Sequence, residues 1–355
     1  MKSRVDALRD FFEREKLDGY IVADETNILY FTGFSGGERL LVPGEGENVL
    51  YVRGVSYEEA KETAMDCRVE LVKFGEDADR KVADQIEGLK LGRVGFDILS
   101  ASAYLKLHKA LKGIKLDDKG ELVWELRRVK DETELRHMRR AAELTSKGME
   151  VAFETIRPGV REYEVAAEIE YAMRRVGSWG VAFDTAVASG ARSAHPHGGC
   201  TDRKIKRGDL VVLDMGAKYQ NYRADLTRTV TVGEPSTKQV RIHKVVKEAQ
   251  NRAFQTVRAG AKACDIDAVA RKLIERDGYG KYFVHRVGHG IGLDIHEPPS
   301  LNPETEDELK VGNVVTVEPG VYIVKFGGVR IEDTVLVRKD GAEKLTKVSY
   351  DLRLG

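Results

Sequence analysis

Cysteine is nearly missing from this chain: Cys67, Cys200 and Cys264 are the only three in 355 residues. An odd number so widely spaced excludes a disulfide framework and a thiolate zinc motif. An excess of either charge is missing too. Lys plus Arg and Asp plus Glu each number 58, a formal net charge of zero, so nothing provides the one-signed field that favours a nucleic acid or an anionic membrane surface. No apolar run approaches the roughly 20 residues of a membrane-spanning helix. The opening Met1-Lys-Ser-Arg-Val-Asp-Ala-Leu-Arg lacks the apolar stretch of a signal peptide. A soluble, cytoplasmic protein without nucleic-acid or membrane partners is expected. Asn and Gln are scarce beside abundant charges of mixed sign, a balance typical of heat-adapted proteins.

What is present is a repetition. Lys206-Arg-Gly208-Asp-Leu-Val-Val-Leu-Asp214-Met-Gly216 returns as Lys310-Val-Gly312-Asn-Val-Val-Thr-Val-Glu318-Pro-Gly320, and Arg223-Ala-Asp225-Leu-Thr227 returns as Arg330-Ile-Glu332-Asp-Thr334. Upstream, Ile156-Arg-Pro-Gly159-Val-Arg161 is echoed by Val257-Arg-Ala-Gly260-Ala-Lys262, each leading into a helical pattern that stops at a glycine, Gly177 or Gly278. The offset is roughly a hundred residues throughout, far beyond the ~20–50 residues of solenoid repeats. One domain built from two halves about a pseudo-two-fold axis is predicted, with one pair of acids from each half meeting at the axis.

The first part of the chain alternates helical and strand-like patterns. Val5, Leu8, Phe11, Phe12 and Leu17 share a helix face, Tyr20-Ile-Val-Ala reads as a buried strand, and Leu40-Leu-Val and Val49-Leu-Tyr-Val as two strands about Pro43-Gly44. Tyr57 to Met65 is helical, and Arg68-Val-Glu-Leu-Val and Arg93-Val-Gly-Phe are further strands. This predicts a small α/β domain over residues 1–128. Asp131 as N-cap with Glu134 three positions on then fits a capping box, opening a helix expected to run to about Gly148. Residues 129–355 are predicted as one α+β domain of two helix-plus-hairpin units.

Asp214, Asp225, Glu318 and Glu332 each interrupt an apolar strand-like run, where an unpaired acid is costly. Asp214 and Asp225 flank a turn near Tyr219-Gln-Asn221, and Glu318 and Glu332 flank Phe326-Gly-Gly328. Nearly symmetric hairpins would place each pair across neighbouring strands, about 5 Å apart at Cβ. Carboxylates that close repel unless one takes a proton or a cation lies between them. Strand-edge salt bridges to Arg223, Arg228 and Arg330 would explain any one acid, but not the duplicated spacing. A pair of divalent metal ions would explain it. Oxygen-rich ligation with one imidazole suits Mn, Co, Fe or Zn.

Histidine clusters in two segments: His195 and His197 on a Gly-rich stretch, then His285, His289 and His296 in Val284-His-Arg-Val-Gly288-His-Gly290-Ile-Gly292-Leu-Asp-Ile-His296-Glu297-Pro298-Pro299. His289 lies between glycines that would let backbone approach a metal, and is assigned as the imidazole ligand. His197 and His296, related by about the repeat offset, would face each other across the site. Gly288-x-Gly290-x-Gly292 lacks the spacing of a dinucleotide loop. His296-Glu297 is followed by prolines rather than a second His. Gly33-Phe-Ser35-Gly-Gly37 matches a nucleophile elbow in letters, but a strand-like segment follows where that motif needs a helix.

On these residues the chain resembles the dinuclear metallopeptidases of the pita-bread fold, which include methionine aminopeptidases, aminopeptidase P and prolidases. Ala182-Phe-Asp184, Ser189-Gly-Ala-Arg-Ser193-Ala-His-Pro196-His197-Gly, Gly288-His-Gly-Ile-Gly292, Val317-Glu-Pro-Gly320, Gly328-Val-Arg-Ile-Glu-Asp333 and, far upstream, Asn27-Ile-Leu-Tyr30-Phe-Thr-Gly33-Phe are similar to the proline-specific branch. The resemblance implies a creatinase-like N-terminal domain and two divalent ions per chain, Mn or Co first and Fe or Zn as alternatives. Asp225 and Glu332 would bridge them, Asp214 would complete one, and His289 with Glu318 the other. It implies hydrolysis of the Xaa-Pro bond of a proline-containing peptide by a metal-bridged hydroxide. Glu318 would shuttle the proton, His197, His285 and His296 would hold the carbonyl, and Arg330 would orient Glu332 or the groups about His285. The chain departs from the prolidase pattern at His195 and Arg286, and by a short segment between His296 and Glu318 without an arginine-bearing insertion. Xaa-Pro dipeptidase and Xaa-Pro aminopeptidase therefore both stay open. For a dipeptidase, the carboxylate anchor is expected at Arg39 or Lys325, Arg39 lying on a loop that in relatives approaches a partner subunit, so a homodimer is expected.

Overall fold

The structure is a computed structural model and describes residues 3–353. Residues 1–127 and 128–355 form two compact units.

The first unit is a six-stranded sheet with helices. Its elements are α1 (Arg4–Glu15), β1 (Gly19–Val22), α2 (Glu25–Thr32), β2 (Gly37–Pro43), β3 (Val49–Arg53), α3 (Gly54–Thr63), β4 (Arg68–Val72), α4 (Ala78–Gly88), β5 (Arg93–Phe96) and α5 (Ala101–Ala110). β6 (Lys115–Asp118) and α6 (Gly120–Arg128) lead to the unit boundary. The strand order is β4-β3-β2-β1-β5-β6. β2 pairs antiparallel with β1 and β3. The pairs β3–β4, β1–β5 and β5–β6 are parallel, which is why helices must cross over between them. Ile21, Leu41, Tyr51 and Val94 are buried against α4 residues Val82 and Ile86. The predicted strands and the amphipathic first helix stand where the periodicity put them. Asn27 to Phe31 lies in α2, capped by Asp24 and stopped at Gly33. Ser35 therefore follows a helix and precedes a strand, the reverse of a nucleophile elbow.

The second unit says its architecture twice. The first half holds α7 (Glu132–Thr155), α8 (Glu162–Arg175), β7 (Gly180–Val181), β8 (Ala186–Ser189), β9 (Leu210–Met215), β10 (Ala217–Tyr219), β11 (Tyr222–Arg223) and β12 (Leu226–Thr231). The second holds α9 (Thr237–Thr256), α10 (Ala263–Arg276), β13 (Gly288–Gly290), β14 (Glu297–Leu301), β15 (Val314–Val317), β16 (Gly320–Ile323), β17 (Gly327–Arg330), β18 (Asp333–Arg338) and β19 (Gly341–Lys344). In each half two helices cover a sheet, β12-β9-β8 in one and β14-β13-β15-β18-β19 in the other. Each sheet buries its own apolar core: Leu144, Ile169, Met173, Leu213 and Met215 on one side, Val246, Ile266, Ile274, Val315 and Val335 on the other.

α7 opens as expected, with Asp131 and Glu134 forming a reciprocal capping box. It does not stop at Gly148 but continues to Thr155. A side chain at Gly148 would lie 2.8 Å from Met173 Cγ, so this glycine lets α8 pack closely and is not a helix stop.

The registers of the two acid-bearing hairpins differ. In the first, Leu226 pairs with Met215 and Thr227 with Asp214, across a two-residue turn in which Gln220 and Asn221 both have positive φ. Asp225 is therefore diagonal to Asp214 and not opposite it, a correction to the symmetric count. In the second, Val317 pairs with Asp333 and Gly320 with Arg330, so Glu318 and Glu332 do stand at facing positions. Threonines join the halves: Thr334 Oγ1 donates to Asp225 O and accepts from Asp225 N at 2.8 and 2.9 Å, and Thr229 Oγ1 does the same to Arg330 at 3.0 Å each.

Candidate metal centre

The acids converge where the halves meet. A cavity of about 540 Å³ is lined by Asp214, Asp225, His289, Glu318 and Glu332, and by His197, His285, His296 and Arg330. All the metal and carbonyl-holding residues expected from the sequence therefore share one space. His195 is exposed and does not line it.

The chemistry starts from His289. Its Nδ1–H donates to Gly290 O at 2.9 Å, which leaves the lone pair of Nε2 pointing inward. That lone pair meets only acceptors: Glu318 Oε1 at 3.3 Å and Asp225 Oδ2 at 3.8 Å. Acceptors facing one another need a proton or a cation between them. Asp225, His289 and Glu332 each bring a ligand atom within 4.8 Å of the others'. Oδ1 of Asp214, Oδ1 of Asp225 and Oε1 of Glu332 are buried without a hydrogen-bond partner, a costly state for any carboxylate left to itself. The donor set thus fits divalent cations.

Burial first, and then the charges of the neighbouring acids, push Asp225 and Glu332 well above the usual carboxylate range. Burial acts the same way on Glu318, but the hydrogen bond and charge of His289 outweigh it and bring this acid down to about 2. Burial also lowers His296 to about 4, so its imidazole is neutral at pH 7. Its ring lies 4.4 Å from that of His289, edge to face.

Arg330 holds this set in place together with Thr227 and Tyr322, to which the sequence reading gave no role. Arg330 is buried with every edge of its guanidinium engaged. Nη2 donates to Asp214 Oδ2, Nη1 to the Tyr322 hydroxyl at 2.8 Å, and Nε to Thr227 Oγ1 at 3.0 Å. Thr227 Oγ1 passes its proton side on to Glu332 Oε2 at 2.6 Å. Arg330 orients Asp214 directly and Glu332 only through Thr227. His285 is also occupied: Nδ1–H donates to Arg286 O at 2.7 Å, and Nε2 accepts from the Tyr322 hydroxyl at 2.9 Å. Burial raises Tyr322 to about 12, so it keeps that proton. His285 therefore has no free N–H for a carbonyl oxygen, contrary to the expectation, and anchors Tyr322 instead. No repeat partner marked Tyr322, since the first half has Lys218 at the corresponding place. The glycines beside His289 also have another reason than metal approach. A side chain at Gly288 would strike Thr316 O at 2.0 Å and one at Gly290 would strike Pro298 O at 2.4 Å, so they admit neighbouring strands.

Neither Arg39 nor Lys325 of this chain lines the cavity. Arg39 lies in the first unit, where Nε donates to Asp79 Oδ1 at 2.8 Å. Lys325 is an exposed residue of the β16–β17 turn. Arg286, which the sequence marked only as unusual, lines the cavity, and its guanidinium reaches Ser300 Oγ at a loose 3.5 Å.

Residues 136–339 match the model of metallopeptidase family M24, and residues 4–129 match that of the creatinase/prolidase N-terminal domain. A Xaa-Pro dipeptidase of Pyrococcus furiosus is 42% identical over 354 residues, covering 99% of this chain and 100% of that one. The solved prolidase of Pyrococcus horikoshii superposes with a TM-score of 0.92 at 39% identity, over 98% of this chain and 99% of that one. An X-Pro aminopeptidase of Thermotoga maritima superposes with the same TM-score at 35% identity, over 99% of each chain. On these likenesses the chain belongs to metallopeptidase family M24 and carries that family's pita-bread domain behind a creatinase-type N-terminal domain.

Proposed function

We propose that this chain is a Xaa-Pro dipeptidase that works with two divalent cations, Mn or Co, held by Asp214, Asp225, His289, Glu318 and Glu332. The observation that carries the metal site is the inward lone pair of His289, set against carboxylates whose buried oxygens have no other partner. Asp225 and Glu332, at the seam of the two halves, would be shared between the ions, Asp214 would serve one ion, and His289 with Glu318 the other. Bound there, the ions supply Lewis acidity and lower the pKa of the attacking water.

The protein's own groups do the rest. Glu318, ionised at neutral pH, accepts a proton and returns it to the leaving proline nitrogen. His197 and His296 border the cavity with no backbone carbonyl claiming them and hold the scissile carbonyl as charge develops on its oxygen. Arg330, Thr227 and Tyr322 keep Asp214, Glu332 and His285 in place. We assign the anchor for the dipeptide's carboxylate to Arg286 of the same chain, which lines the cavity beside His296; Arg39 of the partner subunit is the alternative. We further propose a cytoplasmic, heat-adapted homodimer as the working form. Cleavage of Ala-Pro against Ala-Pro-Ala-Ala with added Mn or Co tests the assignment. Faster hydrolysis of the dipeptide is expected. Equal or faster hydrolysis of the longer peptide would instead make the chain an Xaa-Pro aminopeptidase, the activity for which the Thermotoga relative is named.

A further inference from the structure

His197 stands on a long connection between β8 and β9, and its imidazole is exposed. Something other than its own side-chain contacts must fix where it points. We infer that Glu162 is a positioning residue for His197, acting through a buried clamp on this connection; the inference rests on the assignment of His197 to the substrate carbonyl.

Glu162 opens α8, and its side chain is fully buried. It nevertheless lies outside the cavity and touches no metal ligand. Its carboxylate accepts five hydrogen bonds. Oε1 takes Ser189 N at 2.8 Å and Ser189 Oγ at 2.6 Å. Oε2 takes Thr201 N at 3.0 Å, Thr201 Oγ1 at 2.6 Å and Arg192 Nη1 at 3.0 Å. Ser189 and Thr201 bracket the segment that carries His197, so one carboxylate ties its two ends together. Arg192 then extends the clamp inward, because its Nη2 donates to Gly198 O, the residue beside His197. On the other side of His197, Pro196 O accepts from Arg330 at 3.3 Å. His197 is thus suspended between a residue held by Glu162 through Arg192 and a residue held by the metal-site arginine.

The negative charge is essential to this arrangement. Every atom that Glu162 meets is a donor, and the N-terminus of α8 favours an anion as well. An amide of the same shape would present an NH₂ to Thr201 or Ser189 and break one end. The repeat offers no substitute, since Ala263 occupies the corresponding position of α10. Duplication therefore does not explain Glu162, whereas a duty confined to the half that carries His197 does.

The test is a double-mutant cycle on the full-length, manganese-loaded protein, with Ala-Pro as substrate. Glu162→Gln is expected to lower kcat/KM on the order of 10- to 100-fold, the scale of a misplaced group near the chemistry, with manganese content equal to that of the unmutated chain. In the His197→Ala background the same change should cost less than about twofold, since a residue that acts only through His197 has nothing left to position. Arg192→Gln, which keeps Glu162 and disturbs only the inner arm, should show the same dependence on His197 and serves if Glu162→Gln does not fold. An equal loss in both backgrounds, or loss of manganese, overturns the proposal and makes Glu162 a general structural residue. A His197→Ala protein with unchanged kcat/KM would instead refute the role of His197 itself, and the positioning proposal with it.

Discussion

The two halves of the second unit carry the same motif and use it differently. In the first half the acids are aspartates, diagonal across the hairpin of β9 and β12. In the second they are glutamates at facing positions, with the imidazole of His289 beside them. The first pair is steadied from outside, Asp214 by Arg330 of the other half. The second is steadied from both sides, Glu318 locally by His289 and Thr316 and Glu332 by Thr227 of the first half. The repeated motif thus supplies acids in both halves, and their surroundings differ. In the proposed mechanism the half that holds His289 and Glu318 moves the proton, and the half that holds Asp214 and Asp225 completes the cation cage and presents His197.

That division can be broken one side at a time. The largest effect is expected from Glu318→Gln, which removes the proton acceptor and should cut kcat by roughly 10²–10⁴-fold; steady-state kinetics at saturating Mn would show it. A loss no greater than that of Asp214→Asn would erase the asymmetry. Next comes the arginine that spans the halves. Arg330→Lys cannot serve Asp214, Tyr322 and Thr227 together, and should weaken metal binding by about 10- to 100-fold, as loss of a ligand-orienting partner does; titration of the apo protein with Mn would measure it. An unchanged affinity would mean that Asp214 needs no clamp. Smaller still, Arg286→Ala should raise KM for Ala-Pro about tenfold while sparing kcat, because an anchor remote from the reacting bond contributes uniform binding. If KM is unmoved, the carboxylate is held elsewhere.

The smallest effect concerns pH. Asp225 and Glu332 are raised in the metal-free fold, so the folded chain binds protons that the unfolded chain releases near pH 4. Their contribution to stability is full below that value and is lost as pH climbs through the raised folded-state values. Cations replace those protons. The gap in Tm between Mn-loaded and metal-free protein should therefore widen from about pH 5 to about pH 8. A constant gap would show that these acids are not the ones the cation relieves.

Much of this was legible in the sequence because it rests on cost. An acid inside an apolar strand is expensive wherever it occurs, so Asp214, Asp225, Glu318 and Glu332 announced themselves, and the duplicated spacing joined them into one site. The capping box at Asp131 was equally plain, since its pattern is local. What stayed hidden depends on three-dimensional neighbours. Gly148 reads as a stop until Met173 is seen against it. The diagonal placement of Asp225 depends on a register that a turn of different length resets. Tyr322, Thr227 and Arg286 matter through what they touch, and no spacing rule points to a hydroxyl between an arginine and a histidine.

In the proposed enzyme, two cations bridge the halves at Asp225 and Glu332. Elemental analysis of the Mn-reconstituted chain, beside its Asp225→Asn and Glu332→Gln forms, tests it most directly. About two Mn per chain are expected in the active protein, as in two-metal hydrolase sites, with both substitutions emptying the site and abolishing Xaa-Pro hydrolysis. A metal-free preparation that still cleaves Ala-Pro, or full metal content in both variants, would contradict the account.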